Sequence, residues 1–211
     1  MASLVVNVLD PADNIDFLSI EEAKLLLGLP AGDGSFDEAL KLQISIASAT
    51  IAELCNRTFA RERVSETWRG LGRPALYLTH FPVDPDDIEG IEVGGGGTLT
   101  PDDYELEEQS GKLLGLGRLA EPVRITYWGG FELPDEAPLP LKQATLLLIV
   151  HQRSQATRES IEGIRMIAHK ESRVMFFDPS QQQKASGGAT ASPSGVPAVD
   201  ALLRSYTKFW I

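Results

Sequence analysis

The hydrophobic periodicity of this chain changes near residue 60 and again near residue 131, and these changes restrict the folds open to it. Between them, short apolar segments alternate with turn signals, as in antiparallel sheets. Before and after, apolar residues recur every three or four positions, as in α-helices. The sequence therefore predicts an α+β fold: a mainly helical body of three to four helices, an inserted small antiparallel β unit and a C-terminal helix or tail. The strongest helical pattern comprises Phe36, Leu40, Ile44, Ala47, Ile51 and Leu54.

Capping signals predict where the first two helices begin. Residues 1–17 contain no such signal, and we interpret them as an irregular leader. Ser19 and Glu22 form a capping-box pattern, followed by a short helix that should end near Gly28. Ser35 and Glu38 repeat the pattern, so Ser35 is the expected N-cap of the long second helix. A third helix is expected over about residues 139–158, with a buried, wholly apolar middle.

The β unit is expected to have roughly four to six strands. Gly94–Gly97 is favoured as a hairpin loop over a phosphate-binding loop, because a strand-like segment follows it instead of a helix. The strand candidates are Arg63–Arg69, Ala75–Leu78, Asp87–Val93, Thr98–Thr100, Tyr104–Glu107, Lys112–Leu116 and Pro122–Trp128.

The chain divides into five consecutive parts on this interpretation. Glu159–Asp178 is expected to be an extended hairpin or loop, and a Gln-, Ser- and Gly-rich stretch follows it. The predicted divisions are residues 1–62 (N-terminal helical part), 63–130 (β unit), 131–178 (third helix and loop), 179–195 (flexible linker) and 196–211 (C-terminal docking segment).

Composition and charge exclude several classes of protein. The 211 residues carry a net charge of −11, one cysteine and three histidines. One cysteine excludes an internal disulfide framework, and so acidic a chain is a poor general DNA-binding protein. The longest apolar run, Ala144–Val150, is too short to cross a bilayer, and we expect neither a signal peptide nor membrane association.

No residue pattern in the sequence predicts catalysis, cofactor binding or a metal site. Asp84, Asp86, Asp87 and Glu89 lack the ligand spacing of a calcium loop, and a solvated acidic loop is favoured. Nucleophile and metal-ligand motifs are missing. The histidines (His80, His151 and His169) and Cys55 are interpreted as core or interface residues.

The C-terminal segment, Val196–Ile211, allows two interpretations. It is amphipathic, carries Arg204 and Lys208, and ends in Phe209-Trp210-Ile211. Terminal aromatic residues could anchor the chain to a partner. Alternatively, the helix could close the chain's own core.

Four pieces of the sequence, in this order, resemble the head–tail connector (adaptor) proteins of tailed bacteriophages and prophages. They are the opening helix at Leu18–Lys24, the helix ending Cys55-Asn56-Arg57-Thr58-Phe59, the stretch Ile125–Gly130 followed by prolines and Leu141–Ala144, and the pair formed by Ser160–Phe177 and Val199–Tyr206. The glycine-rich loop, the long linker and the last three residues depart from the family pattern.

The resemblance implies a structural virion protein without catalysis or a cofactor. Such adaptors form a ring, usually of twelve copies, beneath the portal protein at the neck of the particle. The ring extends the DNA channel, joins head to tail and meets the next neck or tail protein. Genomic DNA passes through it without specific binding, and an acidic lumen would suit this passage. The chain would be made in the host cytoplasm and reside in the virion.

The resemblance also implies two sets of assembly residues. The C-terminal segment would dock into the portal, and residues 159–178 would rearrange when the ring assembles. The expected portal-docking residues are Val199, Leu202, Leu203, Tyr206, Phe209 and Trp210; the expected ring-assembly residues are Ile161, Ile164, Met166, Val174, Phe176 and Phe177.

Two alternatives remain open at the level of sequence. The chain could be another virion component, such as a head-completion or tail-terminator protein. A small hydrolase with a site in the β unit is the other, and it would require a concave pocket with converging polar groups.

Overall fold

A computed structural model of the chain describes residues 3–70, 75–94, 96–115, 121–159, 166–169, 172–175 and 192–208. For residues 157–159, 166–169 and 172–175 only the backbone is described. Four α-helices and ten β-strands occur in these ranges, which confirms the predicted α+β class. The helices are α1 (Ile20–Leu27), α2 (Asp37–Cys55), α3 (Leu139–Glu159) and α4 (Pro197–Leu203).

The strands form three antiparallel sheets. A five-stranded sheet has the order β1-β2-β8-β4-β5, a three-stranded sheet has the order β3-β7-β6, and β9 and β10 form a separate hairpin. The strands are β1 (Ser3–Asp10), β2 (Glu62–Arg69), β3 (Leu76–Tyr77), β4 (Ile88–Val93), β5 (Gly97–Leu99), β6 (Glu105–Glu107), β7 (Lys112–Leu114), β8 (Val123–Gly129), β9 (Met166–His169) and β10 (Ser172–Met175).

The buried apolar side chains form two clusters. The helical cluster joins α1, α2, α3 and α4, with Phe17 and Phe59 packed edge to face at 5.3 Å between ring centroids. The second cluster lies between the five-stranded and three-stranded sheets and includes Val64, Ile125 and Leu113. Each cluster supplies the hydrophobic burial that stabilises its own part of the chain.

The interpretation of residues 1–17 as irregular is wrong for Ser3–Asp10, which form β1. This strand pairs with β2 from Ser3 opposite Arg69 to Asp10 opposite Arg63. The β-branched residues Val5, Val6 and Val8 favour a strand, but apolar residues on both faces hide the alternation that predicts one. The β unit is therefore not wholly an insertion, because its main sheet begins before the helices.

The two predicted capping boxes have different outcomes. Ser19 Oγ accepts from Glu22 N at 3.1 Å and Glu22 Oε2 accepts from Ser19 N at 3.0 Å, so the first box is confirmed. The second is wrong: Phe36 is the N-cap of α2 and makes no side-chain cap, while Ser35 N donates to Asp33 Oδ1. Phe36, the first residue of the apolar pattern of this helix, is exposed.

The remaining elements lie close to their predicted positions. Each of the seven strand candidates overlaps an observed strand, although the described part of residues 62–129 holds seven strands and not the expected four to six. The Gly94–Gly97 loop joins the antiparallel pair β4 and β5, as predicted. The middle of α3 is only partly buried, since Val150 is exposed. The terminal helix ends at Leu203.

Candidate assembly surfaces and the junction that positions them

The helical and strand parts meet at residues 55–61, directly after α2. Asn56 ends the helix in the left-handed conformation (φ 50°), which asparagine tolerates better than most residues. The turn leaves Cys55 buried in the helical cluster, as predicted, and burial raises the pKa of its thiol to about 11. The Cys55–Phe59 sequence is therefore a helix ending that directs the next residues towards the β unit.

Arg57 connects the two parts through aromatic rings. Its Cζ lies 3.4 Å from the ring centroid of Phe81 and 4.6 Å from that of Phe59. Nη2 also donates a hydrogen bond to the carbonyl oxygen of Phe81. Burial lowers the pKa of Arg57 to about 10. A cation between a helical-core ring and a strand-loop ring stabilises the relative position of the two parts.

The last described residue, Lys208, contacts the same junction. Its backbone N–H donates to Cys55 O at 2.9 Å, and Nζ donates to Leu78 O at 2.9 Å. Nζ also lies 5.3 Å from the ring centroid of Phe81. Burial lowers the pKa of Lys208 to about 8, although the nearby Glu66 carboxylate opposes the shift. These contacts fix the C-terminal segment against both α2 and the β unit.

A buried polar network holds the loop that carries Phe81. Glu66, on β2, is fully buried and its Oε1 accepts from Thr79 N at 2.8 Å and from Tyr127 Oη at 2.5 Å. Oε2 accepts from Trp68 Nε1 at 3.0 Å. Both oxygens of the buried Glu66 carboxylate therefore accept hydrogen bonds from donors, as a buried charged group requires.

His80 belongs to the same network and is a core histidine, as predicted. Its backbone N–H donates to Tyr127 Oη at 3.1 Å, and its Nε2 lies 3.1 Å from Glu62 Oε2. Burial lowers the pKa of His80, with Glu62 and Glu66 opposing the shift. Burial raises the pKa of the Tyr127 hydroxyl. The adjacent Glu66 carboxylate raises it further, because it would repel the ionised hydroxyl. The network thus stabilises the loop through hydrogen-bond donors around the Glu66 carboxylate, with His80 also contacting Glu62.

The acidic cluster forms ion pairs and a cap instead of a metal site. Asp84 Oδ1 accepts from Asp86 N at 3.0 Å in a short 3₁₀ turn. Asp87 pairs with Arg61 at 2.7 Å, and Glu89 pairs with Arg63 through both carboxylate oxygens. Across the described ranges, no group of three His, Cys, Asp or Glu residues is placed to hold a metal ion. The same ranges hold no helix of the length and apolarity that a membrane span requires.

A shallow groove of about 430 Å³ lies beside the glycine loop. Its lining includes Gly94, Gly96, Thr98 and Pro122. The charged groups in it, Glu92 and Arg124, pair with each other across 3.5 Å. The two charged side chains of the groove therefore pair with each other. A hydrolytic site would instead need an acid and a base whose environments give them different pKa values.

The predicted portal-docking residues have different environments. Val199 and Leu203 are buried in the helical cluster, while Leu202 and Tyr206 are half-buried against it. The ring of Tyr206 lies 6.2 Å from that of Phe59. Phe209 and Trp210 lie outside the described residues. Helix α4 thus packs on the chain's own core, and its contact with a portal stays a prediction.

The start of α4 is held by Asp200. Its carboxylate accepts a hydrogen bond from Ser192 Oγ and one of 3.1 Å from Ser194 N. Burial raises the pKa of Asp200, but these hydrogen bonds outweigh that effect and hold it below its ordinary value. Residues 192–194, predicted to be part of a flexible linker, are therefore ordered against the helix.

The predicted ring-assembly residues fall on and around the β9–β10 hairpin. Met166 pairs with Met175, and Val174 pairs with Ile167, in a sheet separate from the other two. A hairpin in this region confirms the expected extended hairpin. Its role in ring assembly stays a prediction. Ile161, Ile164, Phe176 and Phe177 lie outside the described residues.

Large apolar side chains are exposed at several places in the described residues, and two groups of them lie on α1 with α2 and on β1. One lies on the helical part, where Leu25 and Leu26 of α1 and Leu42 and Ile46 of α2 face solvent. The other is β1, at the edge of the main sheet. Exposed apolar patches of this kind are typical of protein–protein contact sites.

Sequence reasoning did not predict the roles of Arg57, Glu66 and Lys208. A signal was available for Glu66, because it occupies an inward position of β2 between the apolar residues Val64 and Trp68. A charge at such a position indicates a buried network. The contacts of Arg57 and Lys208 depend on packing between distant segments, and no local pattern encodes them.

The fold is that of chains in the neck of gene transfer agent particles. No protein-family profile matches the sequence, and no characterised protein matches it by sequence. A chain in the neck of an empty particle, with C6 symmetry, matches at a TM-score of 0.57 and 16% identity over 98% of this chain and 97% of that one.

Two related structures give the same result. A chain in the neck of the native particle, with C12 symmetry, matches at a TM-score of 0.52 and 15% identity over 98% of this chain and 97% of that one. A chain in the native virion matches at 0.51 and 17% identity, over 98% and 96%. At these identities the likeness establishes the fold over nearly the whole chain.

Proposed function

We propose that this protein is a structural virion component, a head–tail connector that forms a ring beneath the portal, extends the DNA channel and joins head to tail. The observation that carries the proposal is the whole-chain similarity to chains in the necks of gene transfer agent particles, one of them with C12 symmetry. The proposed ring has twelve copies and lies in the neck of a phage-like particle, and the C12 symmetry of that neck supports this number.

The charge of the chain supports the same function. The net charge of −11 disfavours binding to the phosphates of DNA, and a DNA channel must let the genome pass without binding it. The exposed apolar side chains on α1, α2 and β1 are suited to contacts between copies in a ring. The copies and the portal are the partners in this proposal, together with the next neck or tail protein.

In this proposal the C-terminal end of the chain contacts the portal. Val199 and Leu203 keep α4 in the helical core, so the docking group comprises Phe209 and Trp210, with Leu202 and Tyr206 at its border. Lys208, which directly precedes Phe209, is fixed to the junction through its hydrogen bonds to Cys55 and Leu78.

Deleting residues 209–211 is expected to abolish binding to the portal while the chain stays folded. Loss of two aromatic anchors removes the kind of side chain that dominates binding energy. The test is co-sedimentation of the purified chain with the portal encoded beside its gene. A deletion of all of 197–211 is unsuitable, because it would also remove the buried Val199 and Leu203.

A matched control is Leu139→Ser, which removes one exposed apolar side chain far from the C-terminal end in sequence. It is expected to bind the portal like the unmodified chain. If the deletion variant is folded by circular dichroism and still co-sediments fully, the docking role of this end is wrong.

The β9–β10 hairpin is expected to become protected from amide exchange when the ring assembles. An isolated two-stranded hairpin is marginally stable, so its amides should exchange quickly in the free chain. Contact with a neighbouring copy should slow exchange in residues 166–175 by about tenfold or more. Hydrogen exchange of the free chain and of the portal-bound ring measures this directly.

The central strand β8 provides the internal reference for that experiment. It lies between β2 and β4, and its amides should be protected equally in both states. Unchanged exchange in the hairpin, with the ring present, would show that these residues do not take part in assembly.

A further inference from the structure

Strand β1 is an unpaired edge of the main sheet. It pairs with β2 on one side through seven of its eight residues, and no strand of the described chain pairs with its other side. A strand in this position presents a row of free N–H and C=O groups to any second strand. Its backbone is therefore available to extend the sheet.

Both faces of β1 carry apolar side chains, although Ser3 and Asn7 lie on the same face as Val5. Val6 and Val8 lie opposite Glu66 and Val64, so they continue the face that forms the sheet core, yet they are 37% and 49% exposed. Val5, on the other face, is 52% exposed. Antiparallel strands that face water usually carry polar residues on the wet side. Apolar residues on both faces are typical of a strand covered on both sides.

The strand also lacks the features that keep edge strands monomeric. Residues 3–9 (Ser-Leu-Val-Val-Asn-Val-Leu) contain no charge, no proline and no glycine. Natural edges that stay unpaired usually carry lysine, proline or a bulge along their length. The irregularity in β1 falls only at its end, between Val8 and Asp10.

Charge indicates which partner covers β1. Copies of a chain with a net charge of −11 repel one another, so they can meet closely only through uncharged or complementary surfaces. The seven uncharged residues of β1 satisfy that requirement. A contact of β1 with β1 would be symmetric and would close at two copies, whereas a ring needs two different surfaces in each contact.

We propose that β1 is a subunit contact of the ring, in which its edge and its apolar faces pack against a different surface of the adjacent copy. This inference rests on the proposed function, because the ring supplies the neighbouring copy. It adds a specific surface to that function, apart from the C-terminal end that docks to the portal.

The test is a double substitution that places one lysine on each face of β1, Val5→Lys with Val8→Lys. Both side chains are about half exposed, so the free chain should fold normally. The two lysines reduce the net negative charge, so weaker assembly could not come from greater general repulsion. The control, Leu139→Lys with Val150→Lys, adds the same charge at exposed positions of α3.

Copies per portal are measured by mass photometry as the concentration of the chain is raised. We expect the unmodified chain and the control to fill the portal cooperatively. The β1 variant should bind through its C-terminal end without cooperativity, with half-saturation at about tenfold higher concentration or more. Cooperative filling by the β1 variant, or equal loss in the control, would overturn the assignment to β1.

A portal-free measurement separates this inference from the proposed function. If the unmodified chain does not bind the portal, the portal proposal fails, and sedimentation velocity at millimolar concentration then tests β1. Self-association that the β1 substitutions abolish and the control keeps would support the inference. A chain that stays monomeric there, or a β1 variant that associates equally well, would contradict it.

Discussion

Replacing Gly130 with alanine is expected to destabilise the protein by about 3 kcal/mol, because it strains the junction between its two parts. Gly130 has φ 111°, a conformation that residues with a side chain rarely adopt. A Cβ at this position would lie 2.3 Å from the carbonyl oxygen of Ala60, which is backbone and cannot rotate away. Urea unfolding followed by circular dichroism measures the change.

The backbone around Gly130 explains the size of the effect. Gly130 N donates to Pro82 O at 2.9 Å, and Phe131 N donates to Phe59 O at 2.8 Å. Any shift that relieves the contact with Ala60 would weaken these hydrogen bonds between the helix ending and the strand unit. The destabilisation should therefore accompany a loss of portal binding, since the C-terminal end is fixed at the same junction.

Gly90→Ala is the matched control for this prediction. Gly90 also lies in the main sheet, but a Cβ there would have no atom within 4 Å and its φ is not positive. Its substitution should change the unfolding free energy by less than about 0.5 kcal/mol. Equal stability of the two variants would show that the close approach at Gly130 is not a constraint.

Replacing Glu66 with glutamine is expected to cost about 2 kcal/mol, although the two side chains have almost the same shape. The carboxylate of Glu66 faces donors on both oxygens: Thr79 N and Tyr127 Oη on one, and Trp68 Nε1 on the other. A glutamine amide must direct its NH₂ group at one of these donors in either orientation. A buried group then stays unsatisfied.

The control for Glu66 is Glu92→Gln on the neighbouring strand β4. Glu92 is exposed and its only described ion pair, with Arg124, spans 3.5 Å. Exposed pairs of this kind contribute little, so the expected change is below about 0.5 kcal/mol. A Glu66→Gln variant as stable as the control would contradict the role of Glu66 in holding the loop that carries Phe81.

The parts of the fold that local patterns encode were predictable. The Ser19 capping box, the left-handed turn after α2 and the hairpin at Gly94–Gly97 each depend on residues within a few positions of one another. Strand β1 was not predictable from its own sequence. It forms by pairing with β2, which lies about sixty positions away in the chain. The prediction of Ser35 as the N-cap of α2 is wrong for a local reason, because the backbone N–H of Ser35 donates to the Asp33 carboxylate.

The candidate assembly surfaces likewise combine features that local patterns encode with features that depend on packing between distant segments. An amphipathic C-terminal segment was evident from the sequence, but which of its residues face inward was not. Val199 and Leu203 pack on the chain's own core. Between them, Asp200 holds Ser192 and Ser194 against the helix, and Lys208 after them donates to Leu78 O. The residues that join the two parts, Arg57 and Phe81, lie 24 positions apart and contact only in the folded chain.

Electron microscopy of the purified chain mixed with the portal encoded beside its gene is the most direct test of the proposed function. We expect a second ring beneath the portal, with twelve copies or a sixfold arrangement of pairs. Its density should connect to the portal through the C-terminal ends and continue between subunits at β1. An intact portal without a second ring, under conditions where the free chain is folded, would contradict the connector function and favour another position in the neck or tail.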